Sequence, residues 1–501
     1  MNRSIVRFLI SKLLLIEAGL LVVPLIVALI YQEDAKVFTS ILGTMAILLF
    51  IGVLGTLFKP KNYRIYTKEG MLIVALCWVL WSFFGGLPFV FAGQIPSVID
   101  AFFEMSSGFT TTGATILTDT GVLTHSLLFW RSFAHLIGGM GVLVFALAIM
   151  NNSKNVHHEV MRAEVPGPVF GKVVAKLKNT AQILYIIYLG MFVIFAMILW
   201  ICGMPLFDSI VIAMGGAGTG GFAVYNDSIA HYNSDLITYV VTVGTLLFGV
   251  NFNLYFYILL RKIRFFFQDE ELRTYLTIVA VSTSLIILNI FGIYHSLANS
   301  FKYSFFEVST IITTTGFGLT DITKWPLFSQ YILLLLMFIG GSAGSTAGGF
   351  KVIRAMIIAK IARNQTLASL YPNRILSLHI NGSVLDKETQ HSVLKYLAVY
   401  VLIILSLVTI LSLDNQNFLI VTSAAASTFN NIGPLLGTTD SFAIFSPLSK
   451  LIMGFAMIAG RLEIYPLLLL FLPKTWSKNL SIKKLPWIQL SKGVFLRFRL
   501  K

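Results

Sequence analysis

Residues 309–321 read STIITTTGFGLTD, a run of small and hydroxylated residues that follows a short apolar segment. Three similar runs occur elsewhere: GFTTTGAT at 108–115, GGAGTGGFAVY at 215–225 and FNNIGP at 429–434. Each follows an apolar piece of about 12 to 15 residues, which as a helix reaches only about halfway through the hydrocarbon of a bilayer. These pieces are residues 95–109, 204–217, 300–313 and 417–428. A chain that enters halfway must return to the same side, so the pattern predicts four re-entrant loops.

The rest of the chain has the composition of a membrane protein. Of its 501 residues 56% are hydrophobic and 12% are charged, whereas soluble proteins carry about 25% charged residues. An ordinary soluble enzyme is therefore excluded, and the predicted fold class is an all-α polytopic membrane protein. The ten predicted spans are residues 8–31, 38–58, 70–92, 124–150, 181–203, 236–260, 274–296, 326–361, 393–413 and 446–472.

The basic residues are distributed in a way that orients the chain. The formal net charge is +15, and 31 of the 37 Lys and Arg residues fall in alternate connectors. This is the positive-inside pattern, which predicts that both termini are cytoplasmic and gives no argument for nucleic acid as a partner. The basic segments are residues 1–12, 59–69, 151–178, 261–273, 351–395 and 473–501.

The four loops define an internal repeat. Aligning each loop on a central glycine matches Gly113, Gly220, Gly316 and Gly433, about 107 residues apart on average. Each unit then reads outward span, half-helix, loop and inward span, so four units of one orientation can surround a pseudo-fourfold pore. The predicted organisation is an N-terminal two-helix hairpin at 1–69, repeats at 70–150, 151–262, 263–391 and 392–474, and a basic cytoplasmic tail at 475–501.

A ring of such loops suits a potassium ion. Dehydrating the ion is costly, and rings of backbone carbonyl oxygens replace its water when glycine permits the required positive φ angles. The negative ends of the half-helices would point at the same place. The acids Asp100, Glu104, Asp208 and Glu307 would raise the cation concentration at the outer mouth. The alternative is that Gly and Thr only let helices pack closely. The predicted filter residues are Thr111, Thr112, Gly113, Gly218, Thr219, Gly220, Thr314, Thr315, Gly316, Asn431, Ile432 and Gly433.

Two features inside spans predict a gate. The stretch GGSAGSTAGG at 340–349 interrupts the span 326–361, because each Gly costs about 1 kcal/mol in a helix relative to Ala. Loose backbone at that depth can occlude a pathway, although a packing kink is the alternative. Arg461 lies deep in the last span, where its charge would oppose a cation, unless it pairs with Glu463 or reaches the interface. The predicted gate residues are Gly340, Gly341, Ser342, Gly344, Ser345, Gly348, Gly349 and Arg461.

These motifs together resemble the pore loops of the Trk/Ktr/HKT superfamily of potassium transporters, over nearly the whole chain. The added N-terminal hairpin is most like the TrkH/TrkG branch. The resemblance implies potassium as the transported ion, with no organic cofactor, and a gating loop at 340–349 opposite Arg461. It also implies a multi-pass protein of a bacterial inner membrane, a homodimer and a separate, TrkA-like cytosolic nucleotide-binding subunit. The chain itself has no GxxxxGK[ST] motif.

Three other functions stay open from the sequence. A symporter coupled to protons or sodium needs a buried carboxylate on the pathway, for which Glu463 is the candidate. A sodium-preferring transporter is the second, although relatives of that kind carry serine where this chain has Gly113. A non-transporting scaffold is the third, and it gives the four loops no role. None of these functions is that of an enzyme. Arg131 lies near the outer start of a span, where we expect an interfacial anchor.

Overall fold

The computed structural model describes residues 2–63, 65–141, 177–373 and 376–476, and these residues form a helical bundle. The predicted all-α polytopic fold is confirmed. The last third of the predicted span 124–150, most of the basic segment 151–178 and the basic tail after residue 476 lie outside the described residues. The helices are α1 Arg3–Leu20, α2 Val22–Ile30, α3 Ala35–Leu57, α4 Thr67–Ala92, α5 Val98–Phe109, α6 His125–Gly139, α7 Leu177–Ile201, α8 Leu206–Ala217, α9 Asp235–Phe248, α10 Phe252–Leu259, α11 Ile263–Gln268, α12 Glu270–Tyr294, α13 Leu297–Ile312, α14 Leu327–Ile339, α15 Val352–Leu370, α16 Lys387–Leu411, α17 Phe418–Asn430, α18 Pro447–Arg461, α19 Tyr465–Phe471 and α20 Pro473–Trp476.

Six helices in the described part of the chain are long and apolar enough to cross a membrane. Each overlaps a predicted span. Their exposed side chains are largely apolar, such as Leu288 on α12 and Leu402 on α16, as lipid contact requires. The six are Arg3–Ile30, which joins α1 and α2, Ala35–Leu57, Thr67–Ala92, Gln182–Ile201, Glu270–Tyr294 and Lys387–Asp414.

The N-terminal hairpin of α1 to α3 packs against α4. Small residues allow the close approach of α1 and α3: a Cβ on Gly55 would overlap the Ser11 side chain, and one on Gly52 would lie 2.6 Å from Leu15. Such small-residue contacts stabilise helix pairs in lipid, where no hydrophobic effect drives helices together. The hairpin shares one continuous apolar core with the first and fourth half-helices.

The four half-helices are α5, α8, α13 and α17, with 12, 12, 16 and 13 residues. Two begin at a serine cap, where Ser97 accepts the amide of Asp100 and Ser296 accepts that of Asn299. Because each is too short to cross a bilayer, the chain reverses after it and continues into α6, α9, α14 or α18. This is the predicted order of half-helix, loop and inward span.

In the second, third and fourth repeats the inward span is interrupted at a similar place after the loop. The prediction covered only the interruption of the third repeat, residues 340–351 between α14 and α15. In the second repeat α9 and α10 meet at 90° around residues 249–251. In the fourth, Glu463 and Ile464 take positive φ angles of 53° and 74° between α18 and α19. The single spans predicted at 236–260 and 446–472 are thus broken helices.

A small two-stranded sheet between α15 and α16 was not predicted. Strands β1 His379–Ile380 and β2 Ser383–Val384 pair antiparallel around Asn381 and Gly382, which both have positive φ. The Asn381 side chain donates to Asp269 (Nδ2 to Oδ2, 2.8 Å), and its oxygen accepts the Glu270 amide. These bonds attach the sheet to the start of α12. Ile380 packs in an apolar cluster with Ala343, which lies in the interruption at 340–351, and with Ile353, which follows it.

Candidate ion-conduction site

The tips of the four re-entrant loops meet in a ring. A Cβ on Gly113 would overlap the carbonyl oxygen of Gly220, so the first loop touches the second. A Cβ on Gly221 would likewise overlap the carbonyl oxygen of Thr315, and a Cβ on Gly316 would overlap the carbonyl oxygen of Ile432. Glycine 433 closes the circle, because its Cβ would lie 2.8 Å from the carbonyl oxygen of Thr112. Four loops of one chain therefore surround one centre in sequence order.

The backbone angles correct the predicted alignment in the second loop. Three tips begin with a residue at φ of 56° or 57° and end two residues later on a glycine at 78° to 110°. The second tip has the same angles at Thr219 and Gly221. Matching Gly220 with the other three glycines is therefore wrong by one residue, and Gly218 caps α8 instead. The loop tips are Thr111–Gly113, Thr219–Gly221, Thr314–Gly316 and Asn431–Gly433.

Equivalent hydrogen bonds hold the tips in this conformation. The amide of the middle residue of each tip donates to the carbonyl five residues earlier, at 2.7 to 2.9 Å. The amides thus point back into the half-helices, and the carbonyl of each middle residue lies against the glycine of the preceding tip around the ring. The middle residues are Thr112, Gly220, Thr315 and Ile432.

The predicted gating stretch lies directly against the ring. The Gly348 amide donates to Thr314 Oγ1 at 2.6 Å, and a Cβ on Gly348 would overlap the Asn430 carbonyl. The stretch also binds the interruption of the second repeat, since Ser342 donates its amide to the Gly249 carbonyl at 3.1 Å.

Glycine makes this compact path possible. Gly340, Gly344 and Gly349 take positive φ angles of 69° to 81°. A Cβ on Gly341 would lie 2.5 Å from that of Ala347. The Ser345 hydroxyl donates to the Ser342 carbonyl at 2.6 Å, which closes the turn between these residues.

A buried carboxylate fastens both ends of this stretch. Glu271 Oε1 accepts the amide of Ala343 at 2.7 Å and that of Ile353 at 3.1 Å. Glu271 follows Asp269 and Glu270, to which the β1–β2 sheet is attached. The prediction did not include Glu271, because a glutamate in the first turn of a helix is common for reasons of the helix dipole alone.

Arg461 bridges the gating stretch and the first repeat. Its Nη1 donates to the Thr346 carbonyl at 2.8 Å, and its Nη2 donates to the carbonyls of Gly138 and Gly139, both at 2.6 Å. Glu463 forms an ion pair with Arg354 at 2.7 Å. The guanidinium is therefore held at the end of α18, where the prediction placed a charge opposite the gating stretch.

On the other side of the ring lies a cavity of about 740 Å³, lined by the segments that follow all four tips. Four acids line it: Asp227, Glu307, Asp321 and Asp440. Hydrogen bonds from Thr323 hold the pKa of Asp321 below its usual range, so this acid stays ionised at neutral pH.

The other three acids predicted at this mouth are engaged elsewhere. Asp100 pairs with Lys450 at 2.9 Å, and Asp208 accepts the Tyr232 hydroxyl at 3.0 Å. Glu104 is fully buried and forms an ion pair with Arg131. Of the predicted mouth acids, only Glu307 lines the cavity.

The prediction missed a buried cluster beside the second tip. Arg131 is no interfacial anchor: it is 2% exposed, pairs with Glu104 at 2.9 Å and lies 3.9 Å over the Phe222 ring. The ring of His135 lies 4.3 Å from the same phenyl ring and occupies the space beside Gly220. The available sequence signal is the spacing of Arg131 and His135, which places both on one face of α6.

Four half-helices, four glycine-containing tips in a closed ring and interrupted spans beneath them define a helical membrane protein of the re-entrant-loop class. The chain matches the family model TrkH, described as "Cation transport protein", over residues 36–481. It belongs to this family.

Named relatives cover nearly the whole chain. The Trk system potassium uptake protein TrkH of Salmonella typhimurium is 35% identical over 486 residues, which are 95% of this chain and 99% of that protein. Trk system potassium uptake protein TrkG of Escherichia coli is 32% identical and covers 90% of this chain and 94% of its own. The crystal structure of the potassium transporter TrkH from Vibrio parahaemolyticus matches with a TM-score of 0.86 at 30% identity, covering 95% of this chain and 100% of that one.

Proposed function

We propose that this chain is the membrane subunit of a Trk-type potassium uptake system and that the ring of loop tips is its selectivity filter. The observation that carries the proposal is the closed ring, in which a carbonyl from each tip faces the glycine of the preceding tip. Oxygen rings of this kind replace the hydration water of potassium, while the half-helix ends supply partial negative charge.

The filter residues in this proposal follow the corrected register. The twelve residues of the four loop tips supply the backbone oxygens, and Gly218 caps its half-helix. Potassium is the transported ion and not a resident cofactor. The relatives named as potassium uptake proteins support this assignment over 95% and 90% of the chain.

The stretch 340–351 and Arg461 form the proposed gate. The stretch lies against the ring and is held in place by Glu271 and Arg461. A fixed guanidinium near the axis raises the energy of a passing cation. Opening would then require that the stretch leave the ring and that Arg461 release Thr346.

We also propose the cellular setting that the family resemblance implies. The subunit lies in a bacterial inner membrane with both termini in the cytoplasm, as the alternation of basic connectors indicates. It forms a homodimer and binds a TrkA-like cytosolic nucleotide-binding subunit.

The test is ion flux into proteoliposomes that contain the purified protein. We expect rubidium, as a potassium analogue, to enter faster than sodium without a pH gradient. Equal rates would refute a potassium-selective filter, and faster sodium entry would support the sodium-preferring alternative. A strict need for a pH gradient would support the symporter, although the ion pair of Glu463 with Arg354 leaves that function without a free carboxylate there. Growth of a potassium-uptake-deficient bacterium at low potassium, with and without the cytosolic partner, tests the same function in cells.

A further inference from the structure

We propose that Glu104, Glu307 and Ser423 are equivalent positioning residues, each of which fixes the outer end of its own loop tip. The inference rests on the proposed function of the ring as an ion filter. None of the three side chains belongs to a tip. Each acts through the backbone segment that leaves the tip toward the outer cavity.

The three residues accept the same backbone amide. In the first repeat, Glu104 Oε2 accepts the amide of Ile116 at 3.0 Å. In the third, Glu307 Oε1 accepts the amide of Leu319 at 3.3 Å. Ile116 and Leu319 both lie three residues after the tip glycine, and both glutamates lie nine residues before it. The pairs therefore occupy equivalent places in two repeats that face each other across the ring.

The fourth repeat makes the same bond with a hydroxyl. The amide of Leu436, three residues after Gly433, donates to Ser423 Oγ at 3.0 Å. The serine hydroxyl in turn donates to the Leu436 carbonyl at 3.2 Å. A carboxylate and a hydroxyl share only the capacity to accept a hydrogen bond from an amide. Ser423 lies ten residues before Gly433, one position earlier than the glutamates in their repeats. What the three repeats have in common is therefore a half-helix acceptor for the amide three residues after the tip glycine, and not one fixed sequence position.

In the second repeat, the hydrogen bonds beyond the tip come from the preceding repeat. The residue nine before Gly221 is Ile212, which has no acceptor. There Thr120 of the preceding repeat donates its hydroxyl to the Val224 carbonyl at 2.9 Å, and its amide donates to Asn226 Oδ1 at 2.8 Å. Every tip therefore has a hydrogen-bonded anchor just beyond its glycine, and three of the four anchors are buried side chains of the half-helix.

Burial makes these bonds difficult to replace. Glu104 and Ser423 are fully buried and Glu307 is 1% exposed, so water cannot readily take over the role of a lost acceptor. Removing the acceptor leaves a buried amide without a partner and allows the backbone at the outer end of the loop tip to move. Ion selectivity depends on the positions of carbonyl oxygens, and we expect it to respond to this freedom more than the total flux does.

The two glutamates differ in charge environment, which provides a test of mechanism. Glu104 pairs with Arg131, whereas Glu307 forms no ion pair within the described ranges. At Glu307, glutamine keeps an acceptor oxygen while removing the charge. At Glu104 the same change would leave Arg131 buried without a counter-charge, which is strongly unfavourable. Substitutions at Glu307 can therefore separate the effect of losing the hydrogen-bond acceptor from the effect of losing the charge.

The experiment compares Glu307→Ala, Glu307→Gln and the wild type in the rubidium and sodium flux assay. We expect Glu307→Ala to lower the rubidium-to-sodium ratio about tenfold and Glu307→Gln to recover most of that loss. Asp321→Asn is the matched control, because it removes one charge from the same cavity at an acid that lies outside the half-helices. We expect it to leave the ratio within about twofold of the wild type.

The outcomes are distinct. An unchanged ratio in Glu307→Ala would overturn the positioning role. A loss in Glu307→Gln as large as in Glu307→Ala, matched by Asp321→Asn, would show that the charge matters and the hydrogen bond does not. If Glu307→Ala fails to fold, Ser423→Ala decides, since it removes only a hydroxyl: we expect a lower ratio, and an unchanged one would overturn the proposal. A wild type that does not distinguish the two ions would refute the filter itself.

Discussion

Alanine at Gly221 is the sharpest test of the ring and of its register. Gly221 has a φ of 78°, and a Cβ there would overlap the carbonyl oxygen of Thr315 in the neighbouring tip. Gly203 is the matched control, because it has a φ of 96° and nothing within 4 Å of an added Cβ. Both alanine variants pay the backbone cost of the left-handed region, about 1–2 kcal/mol. Only Gly221→Ala adds a steric conflict inside the ring.

The extra cost sets the expected size of the effect. Overpacking of a tight site costs about 1–3 kcal/mol, and the clash is relieved most simply by moving the Thr315 carbonyl outward. If about 1.4 kcal/mol of that strain is lost from the binding free energy of rubidium relative to sodium, the preference for rubidium drops about tenfold. We expect Gly203→Ala to lower the melting temperature while leaving the ion preference unchanged.

The assay is paired flux of rubidium and sodium into proteoliposomes, with thermal unfolding of each variant measured in detergent. A Gly221→Ala variant that folds and keeps the wild-type preference would refute the closed ring. Gly220→Ala tests the register, because the three atoms nearest to a Cβ there all belong to the His135 ring and not to a neighbouring tip. Loss of preference in Gly220→Ala together with normal behaviour of Gly221→Ala would restore the alignment that the sequence suggested.

Three further predictions use the same flux assay. Gly113→Ser should weaken discrimination against sodium, since its Cβ would overlap the Gly220 carbonyl; an unchanged preference would remove Gly113 from the filter. Arg461→Ala should raise rubidium flux, because the guanidinium ties the Thr346 carbonyl of the gating stretch to the carbonyls of Gly138 and Gly139 and each bond to a charged group contributes about 1.5–3 kcal/mol; a large fall in a well-folded variant would contradict the barrier. Glu271→Ala should also raise flux by freeing both ends of the stretch, with Glu271→Gln closer to the wild type, and equal flux in all three proteins would show that this carboxylate does not hold the gate.

The sequence predicted the spans and half-helices well because their signals are local. Apolar length separates α12 from α13, and the four loops stand out because hydroxylated residues and glycine follow an apolar piece. The register of the second loop could not be predicted in the same way. Gly218, Gly220 and Gly221 all permit a positive φ, and only contact with the neighbouring tip selects Gly221.

Most breaks in the inward spans and the pairing of the buried charges could not be predicted from the sequence, because they depend on contacts between segments that lie far apart in the chain. The five glycines and two serines at 340–351 could be recognised by composition, but the bend at 249–251 rests on one glycine and one asparagine in an apolar stretch. Arg131 looked like an interfacial residue because its partner Glu104 lies 27 positions earlier, on another helix. The role of Glu271 likewise depends on Ala343 and Ile353, more than 70 positions away.

Because all four loop tips belong to one polypeptide, every quadrant of the ring can mutate alone. In a symmetric tetramer one codon change alters four positions at once, whereas here it alters a single quarter of the circle. The fourth tip already differs, with Asn431 and Ile432 where the first and third carry threonines. Opposite and adjacent quadrants can therefore be paired at will in double-mutant cycles, which makes this protein suited to measuring how evenly an ion shares its contacts around the axis.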